Sequence, residues 1–156
     1  MPDLIESLIR HLEGLTEREA FLTSLQGWLL GKRSHFGREV WDRYGLEQLA
    51  TIELSTLPLT LTEWNPSEEL RALQRVRPKR LDDLAMQVRD ILWNGMVLRA
   101  SSECPSCHHD HPRMLENGHS KLVLACDTCG WTGEGEPIEL RPATTGLIRA
   151  HQQSSQ

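Results

Sequence analysis

Apolar residues recur at helical spacing through the first two-thirds of the chain. Leu4, Ile5, Leu8, Ile9 and Leu12 share one face behind Pro2-Asp3, and the pattern stops near Gly14. Thr16-Glu17-Arg18-Glu19 has the capping-box form, in which the Thr16 hydroxyl accepts from the Glu19 amide and the Glu19 carboxylate reaches back. Phe21, Leu22, Leu25, Trp28 and Leu29 then line one face, with Gly31 as a stop. A shorter helix is expected over 38–44, closed by Gly45, and another from Leu46 that carries Leu49, Ile52 and Leu54. Leu57, Leu59 and Leu61 alternate with Thr and Pro58, the signature of a short extended segment.

Helix resumes at Asn65-Pro66, with Asn65 as cap, proline in the first turn and Glu68-Glu69 behind it, and ends before Pro78. From about residue 79 to 93, Leu81, Leu84, Ala85, Val88, Ile91 and Leu92 form one stripe, closed by Asn94-Gly95. Beyond Gly95 the period changes. Met96-Val97-Leu98 reads as a strand. Arg113–Glu116 and Lys121–Ala125 read as hairpin arms around an Asn117-Gly118 turn, and Trp131-Thr132 as the start of a third strand.

The fold class expected is therefore α+β, a helical N-terminal domain (residues 1–95) followed by a small three-stranded module (96–141). Residues 142–156, ending His-Gln-Gln-Ser-Ser-Gln, are expected to form a flexible tail. No run approaches the ~20 apolar residues needed to cross a bilayer. Charges among the first residues also interrupt any signal-peptide core, which points to a cytoplasmic location and no membrane partner.

All four cysteines fall in two pairs, Cys104-Pro105-Ser106-Cys107 and Cys126-Asp127-Thr128-Cys129, with 18 residues between them. Thiols in a reducing compartment stay reduced, so paired C-x-x-C motifs at this spacing point to a metal rather than to disulfides. Four thiolates around Zn2+ leave no open coordination position, and a closed site holds structure rather than activating water. A module of ~40 residues buries too little apolar surface to fold alone. Metal binding of about 10–16 kcal/mol supplies the deficit, so loss of any one cysteine is expected to unfold residues 100–135. His108, His109, His111 and His119 crowd the same region with Asp110, and read as a polar, solvent-facing loop beside an all-sulfur site.

The two cysteine pairs, with proline inside the first and Gly130-Trp131 after the second, resemble the knuckles of the zinc-ribbon superfamily over residues 98–140. The resemblance implies a three-stranded ribbon holding one structural Zn2+ through Cys104, Cys107, Cys126 and Cys129. His108 stands where glycine often follows the first knuckle. Zinc ribbons serve many functions, so the superfamily does not set one.

Net charge is −5, which weighs against a dedicated nucleic-acid binder. The charge is uneven: residues 1–31 and 100–135 each hold five acids against two bases, whereas 32–99 hold ten against eleven. The main basic cluster is Arg71, Arg75, Arg77, Lys79 and Arg80. Met86 and Trp93 lie off the main stripe of their helix, where they pack on the ribbon or meet a partner. Trp131 is placed to cover the second knuckle. The chain carries no H-E-x-x-H, phosphate loop or G-x-S-x-G pattern.

These features point to a non-catalytic, zinc-containing protein-binding module, for instance an inhibitor or immunity-type protein that neutralises a toxin or enzyme. Met86, Trp93, Arg71, Arg75, Lys79 and Trp131 are its candidate partner-binding residues. The alternative is a nucleic-acid-associated regulator using the ribbon and the Arg71–Arg80 cluster.

Overall fold

The computed structural model describes residues 1–58 and 64–154. It divides into two compact units, one of residues 1–54 and 64–95, the other of residues 55–63 and 96–156. The class is α+β, with helices in the first unit and a small antiparallel sheet in the second. No helix among the described residues is long and apolar enough to cross a membrane.

The helical unit follows the apolar periodicity closely. Helix α1 (Pro2–Leu12) buries Ile5, Leu8, Ile9 and Leu12, and α2 (Arg18–Gly31) buries Phe21, Leu22, Leu25, Trp28 and Leu29. The capping box does not form. Helix α2 starts at Arg18 with Glu17 as its N-cap and no side-chain cap bond. A short helix α3 (Arg33–Phe36), absent from the sequence reading, precedes α4 (Arg38–Arg43) and α5 (Leu46–Thr51). Its one buried side chain, Phe36, stands edge-on to Trp28 and tilted against Trp41. Three aromatic rings thus tie α2, α3 and α4, a contact chain that helical periodicity within four residues does not reveal.

Leu54–Thr56 form a 3-10 turn, and Leu59 and Leu61 of the expected extended segment lie outside the described residues. The cap at Asn65 forms as expected: its side-chain oxygen accepts from the Ser67 amide at 2.9 Å, with Pro66 opening α6 (Pro66–Arg75).

Helix α7 (Leu81–Met96) buries Leu84, Ala85, Val88, Ile91 and Leu92 as the stripe requires, but Asn94-Gly95 does not end it. Gly95 serves a different purpose. A Cβ there would lie 2.7 Å from Leu22 Cδ2 and 3.1 Å from Trp64 Cζ2, so glycine lets α7 approach these side chains. The Gly95 carbonyl also accepts from Arg18 Nε at 2.7 Å.

Among the described residues of the second unit the sheet has four strands, not three, in the order β3-β2-β1-β4. Strands β1 (Arg113–Glu116) and β2 (Leu122–Ala125) pair from Arg113 opposite Ala125 to Glu116 opposite Leu122, which matches the expected hairpin arms. The β3 strand (Thr132–Gly133) lies along β2, and β4 (Arg141–Pro142) along β1. The expected strand at Met96–Leu98 is replaced by the last residue of α7 and a single bridge between Arg99 and Arg113.

The turn also differs from the two-residue form, because residues 117–121 all lie outside the ladder. Asn117, only 1% exposed, organises the loop. Its side-chain oxygen accepts from the His119 and Lys121 amides, and its Nδ2 donates to the Glu136 carbonyl.

The segment expected to be a flexible tail folds. Helix α8 (Thr145–Ser154) follows β4, and Ile148 packs with Leu122 and Ala143. Glu116 fixes the junction. Its side chain is 5% exposed, pairs with Arg141 and accepts from the Thr144 amide at 3.4 Å. The Thr144 hydroxyl in turn accepts from the Leu147 amide, capping the helix.

Two substitutions test these links. Gln26, in the middle of α2, is 8% exposed and donates to the carbonyls of Leu49 and Ile52, both at 2.9 Å. Gln26→Leu leaves these acceptors without that donor and is expected to lower stability by about 1–3 kcal/mol in chemical denaturation. Glu116→Ala removes the anchor of α8, so limited trypsin digestion is expected to cut after exposed Arg149 faster than in the parent protein.

Candidate metal centre

The two cysteine pairs sit at the end of the hairpin formed by β1 and β2. Cys126 follows β2 directly, and its amide donates to the Trp131 carbonyl at 2.8 Å, which folds the second knuckle back toward β3. The first knuckle is reached from β1 through residues 108–112. There the Cys104 amide donates to the Asp110 carbonyl at 2.7 Å and the Ala100 amide to the Pro112 carbonyl at 2.8 Å.

The knuckles have the same internal build. The His108 amide donates to the Cys104 carbonyl at 3.0 Å, and the Gly130 amide to the Cys126 carbonyl at 2.9 Å. The residue after each pair has positive φ, +58° at His108 and +77° at Gly130. Glycine takes this conformation freely, whereas a side chain there is strained by about 1–2 kcal/mol.

This geometry brings all four sulfurs together. Cys104 Sγ lies 3.6 Å from Cys129 Sγ, Cys107 Sγ lies 3.7 Å from Cys126 Sγ, and all four are within 4.8 Å of one another. A regular tetrahedron with metal–sulfur bonds of ~2.3 Å has edges of ~3.8 Å. The donor set therefore fits a thiophilic metal ion. Cys104 and Cys126 are buried, Cys107 is half-buried and Cys129 is exposed, so water reaches the cluster from one side.

Burial pushes the Cys104 thiol up, but the amides of Cys107 and Ser106 and the thiols of Cys129 and Cys126 outweigh it and bring it down to about 6. At Cys126 the Cys129 amide is the largest influence and acts downward. Burial and the hydrogen bonds with Cys107 and Cys104 prevail, and push that thiol up to about 11. A bound cation displaces the protons that the cluster holds.

The histidines lie outside this group of sulfurs. Among the described residues the four cysteines are the group placed to hold a metal, while His108, His109, His111 and His119 are exposed. His111 Nδ1 faces the Ala100 carbonyl at 3.1 Å.

Of the other sequence-derived candidates, Met86 is 38% exposed and Trp93 half-buried on α7, and Arg71, Arg75 and Lys79 are exposed. All five belong to the helical unit. Trp131 belongs to the other unit, half-buried, with its ring over the Gly133 backbone.

Sequence reasoning missed Asp110 as anything but part of a polar loop. Its Oδ1 accepts from Arg99 Nη1 at 2.7 Å and from the His111 amide at 2.8 Å, and its Oδ2 from Thr128 Oγ1 at 3.2 Å. Burial pushes its carboxyl up, but the His111 amide, Arg99 and Thr128 together hold it below the usual carboxylate range. Arg113 similarly pairs with Asp127, inside the second knuckle.

Comparisons with protein-family models, characterised proteins and solved structures find no match to the chain.

Because His108 occupies a backbone position that glycine fills in the other knuckle, His108→Gly is expected to stabilise the metal-loaded protein. The gain is ~0.5–1 kcal/mol, the relief of left-handed strain less the entropy glycine loses on folding. Gly130→Ala is expected to act in the opposite direction, and thermal denaturation of the metal-loaded variants measures both.

Proposed function

We propose that the four thiolates hold one Zn2+ ion in a ribbon-type module, that this ion is structural, and that the chain acts without catalysis by binding another protein. The observation that carries the metal assignment is the sulfur spacing across the knuckles, 3.6 and 3.7 Å, close to the ~3.8 Å edge of a zinc–thiolate tetrahedron. Soft thiolate ligands in tetrahedral array suit zinc rather than the oxygen-seeking cations. With four protein sulfurs bound, the ion has no position for water or substrate, so its contribution is to shape.

The protein-binding reading draws support from the surface of the helical unit. Arg71, Arg75, Lys79 and Arg80 are exposed, and no ion pair among the described residues involves them. Arg77, in the same stretch, is held by Glu6. In a chain of net charge −5 such a cluster is available to a partner that presents acidic groups. Exposed Val76, at the end of α6, and Met86 add apolar surface. Neutralisation of a toxin or enzyme by direct binding is one form this role takes. The same cations favour a nucleic-acid partner as the second reading, since each is able to neutralise a phosphate.

Native mass spectrometry of the purified protein is expected to find one zinc per chain, lost in Cys107→Ala together with the hydrogen-exchange protection of residues 100–135. Disulfides in place of the ion would overturn the assignment. Affinity capture from the source cell is expected to recover a protein, with recovery reduced ~10-fold or more by Arg75→Glu combined with Lys79→Glu. Recovery of nucleic acid without a protein would decide for the second reading.

A further inference from the structure

Between β1 and the first knuckle lies a stretch, residues 108–112, that belongs to no strand. The β1–β2 ladder ends at Arg113 opposite Ala125, so Cys126 is one residue from the sheet while Cys107 is six residues away. The first knuckle therefore needs another fixed point if its two sulfurs are to meet those of the second.

Asp110 sits in the middle of this stretch and is bonded in three directions. Its carbonyl accepts the Cys104 amide, inside the first knuckle. Its Oδ2 accepts the hydroxyl of Thr128, which stands between Cys126 and Cys129 in the second. Its Oδ1 accepts from Arg99, whose own backbone bridges to Arg113 at the start of β1. Both carboxylate oxygens are thereby engaged, and Asp110 lies outside the group of side chains placed to ligate the metal.

We infer that Asp110 is a positioning residue for the metal: it clamps the two knuckles together through Thr128 and keeps the four sulfurs arranged to receive the ion. The inference rests on the zinc reading above. A chain that arrives with its ligands already gathered loses less conformational freedom on binding, and the ion leaves more slowly because the knuckles do not part when one sulfur lets go.

Zinc affinity and dissociation rate are measured by competition with a chromophoric chelator, on the full chain and on Asp110→Ala, Thr128→Val and Thr128→Ser. Asp110→Ala is expected to bind zinc about 10–100-fold more weakly, the usual effect of removing a group that supports metal ligands. Thr128→Val loses one hydrogen bond and is expected to weaken binding by about 2–13-fold, while Thr128→Ser, which keeps the hydroxyl, stays close to the parent. The effects of Asp110→Ala and Thr128→Val are expected to be less than additive in the double variant, because both break the same contact. In the Co2+-loaded variants the thiolate-to-cobalt absorption is expected to keep its position, since the ligands are unchanged.

Affinity and dissociation rate within about twofold of the parent for both Asp110→Ala and Thr128→Val would overturn the inference. Where Asp110→Ala does not fold, the contrast between Thr128→Val and Thr128→Ser decides the matter. A parent protein that takes up neither zinc nor cobalt defeats the zinc reading and this inference with it. A parent that binds one equivalent while the variants bind equally well defeats this inference alone.

Discussion

The second unit depends on the convergence of four sulfurs at one end of a short hairpin. Its buried apolar residues include Leu122, Ala143 and Ile148, with Leu98, Met114 and Leu147 packed around them, and also Met96, Val97, Leu115 and Val123. The knuckle loops bury little but their own cysteines, and their backbone is irregular, so apolar burial does not hold them closed. On the zinc reading proposed above, a cation shared by four thiolates does, because it replaces mutual sulfur repulsion with attraction to one centre. The repeated hydrogen-bonded turn of the two knuckles has the same logic, since it aims both sulfurs of each pair at one point.

The helical unit solves the opposite problem. It has apolar surface in plenty, and its difficulty is to accommodate polar backbone where short helices end. Helix α5 has only six residues, so most of its carbonyls lack a partner within the helix. Gln26 reaches from α2 to satisfy two acceptors there, at Leu49 and Ile52. The indole N–H groups of Trp28 and Trp41 are likewise bonded, to Ser7 and Glu47, so these rings contribute buried area without leaving a donor unsatisfied. A polar residue inside an apolar face is here what allows a short helix to be packed.

What was legible in the sequence was what repeats locally. The buried faces of α1, α2 and α7, the Asn65 cap and the arms of the hairpin all follow from spacings of two to four residues. The four cysteines could be grouped because C-x-x-C twice over has few other uses. Contacts between distant residues were not legible: Arg99, Asp110 and Thr128 meet across intervals of 11 and 18 residues. Asn94-Gly95 has the composition of a helix stop, and only the packing of Leu22 and Trp64 explains why glycine stands inside α7. The final segment is misleading for a related reason. Its polar composition hides the buried Ile148 of α8, while the Glu116 carboxylate that ties it down lies nearly thirty residues earlier.

Charge sets the remaining condition on the metal centre. On the same reading, four thiolates with one divalent cation carry a net charge of −2, which the surroundings must moderate. Arg99 and Arg113 approach this end of the hairpin, but each is committed to a carboxylate, Asp110 and Asp127 respectively. Backbone amides meet the sulfurs directly: those of Cys107 and Ser106 donate to Cys104, those of Cys129 and Thr128 to Cys126, and that of His109 to Cys107 at 3.5 Å. Amides supply partial positive charge in fixed directions without adding a titrating group, and they exist only while the knuckle turns are intact. Turn geometry and sulfur charge therefore stabilise each other, which is why the positive φ after each cysteine pair matters to the metal as well as to the backbone.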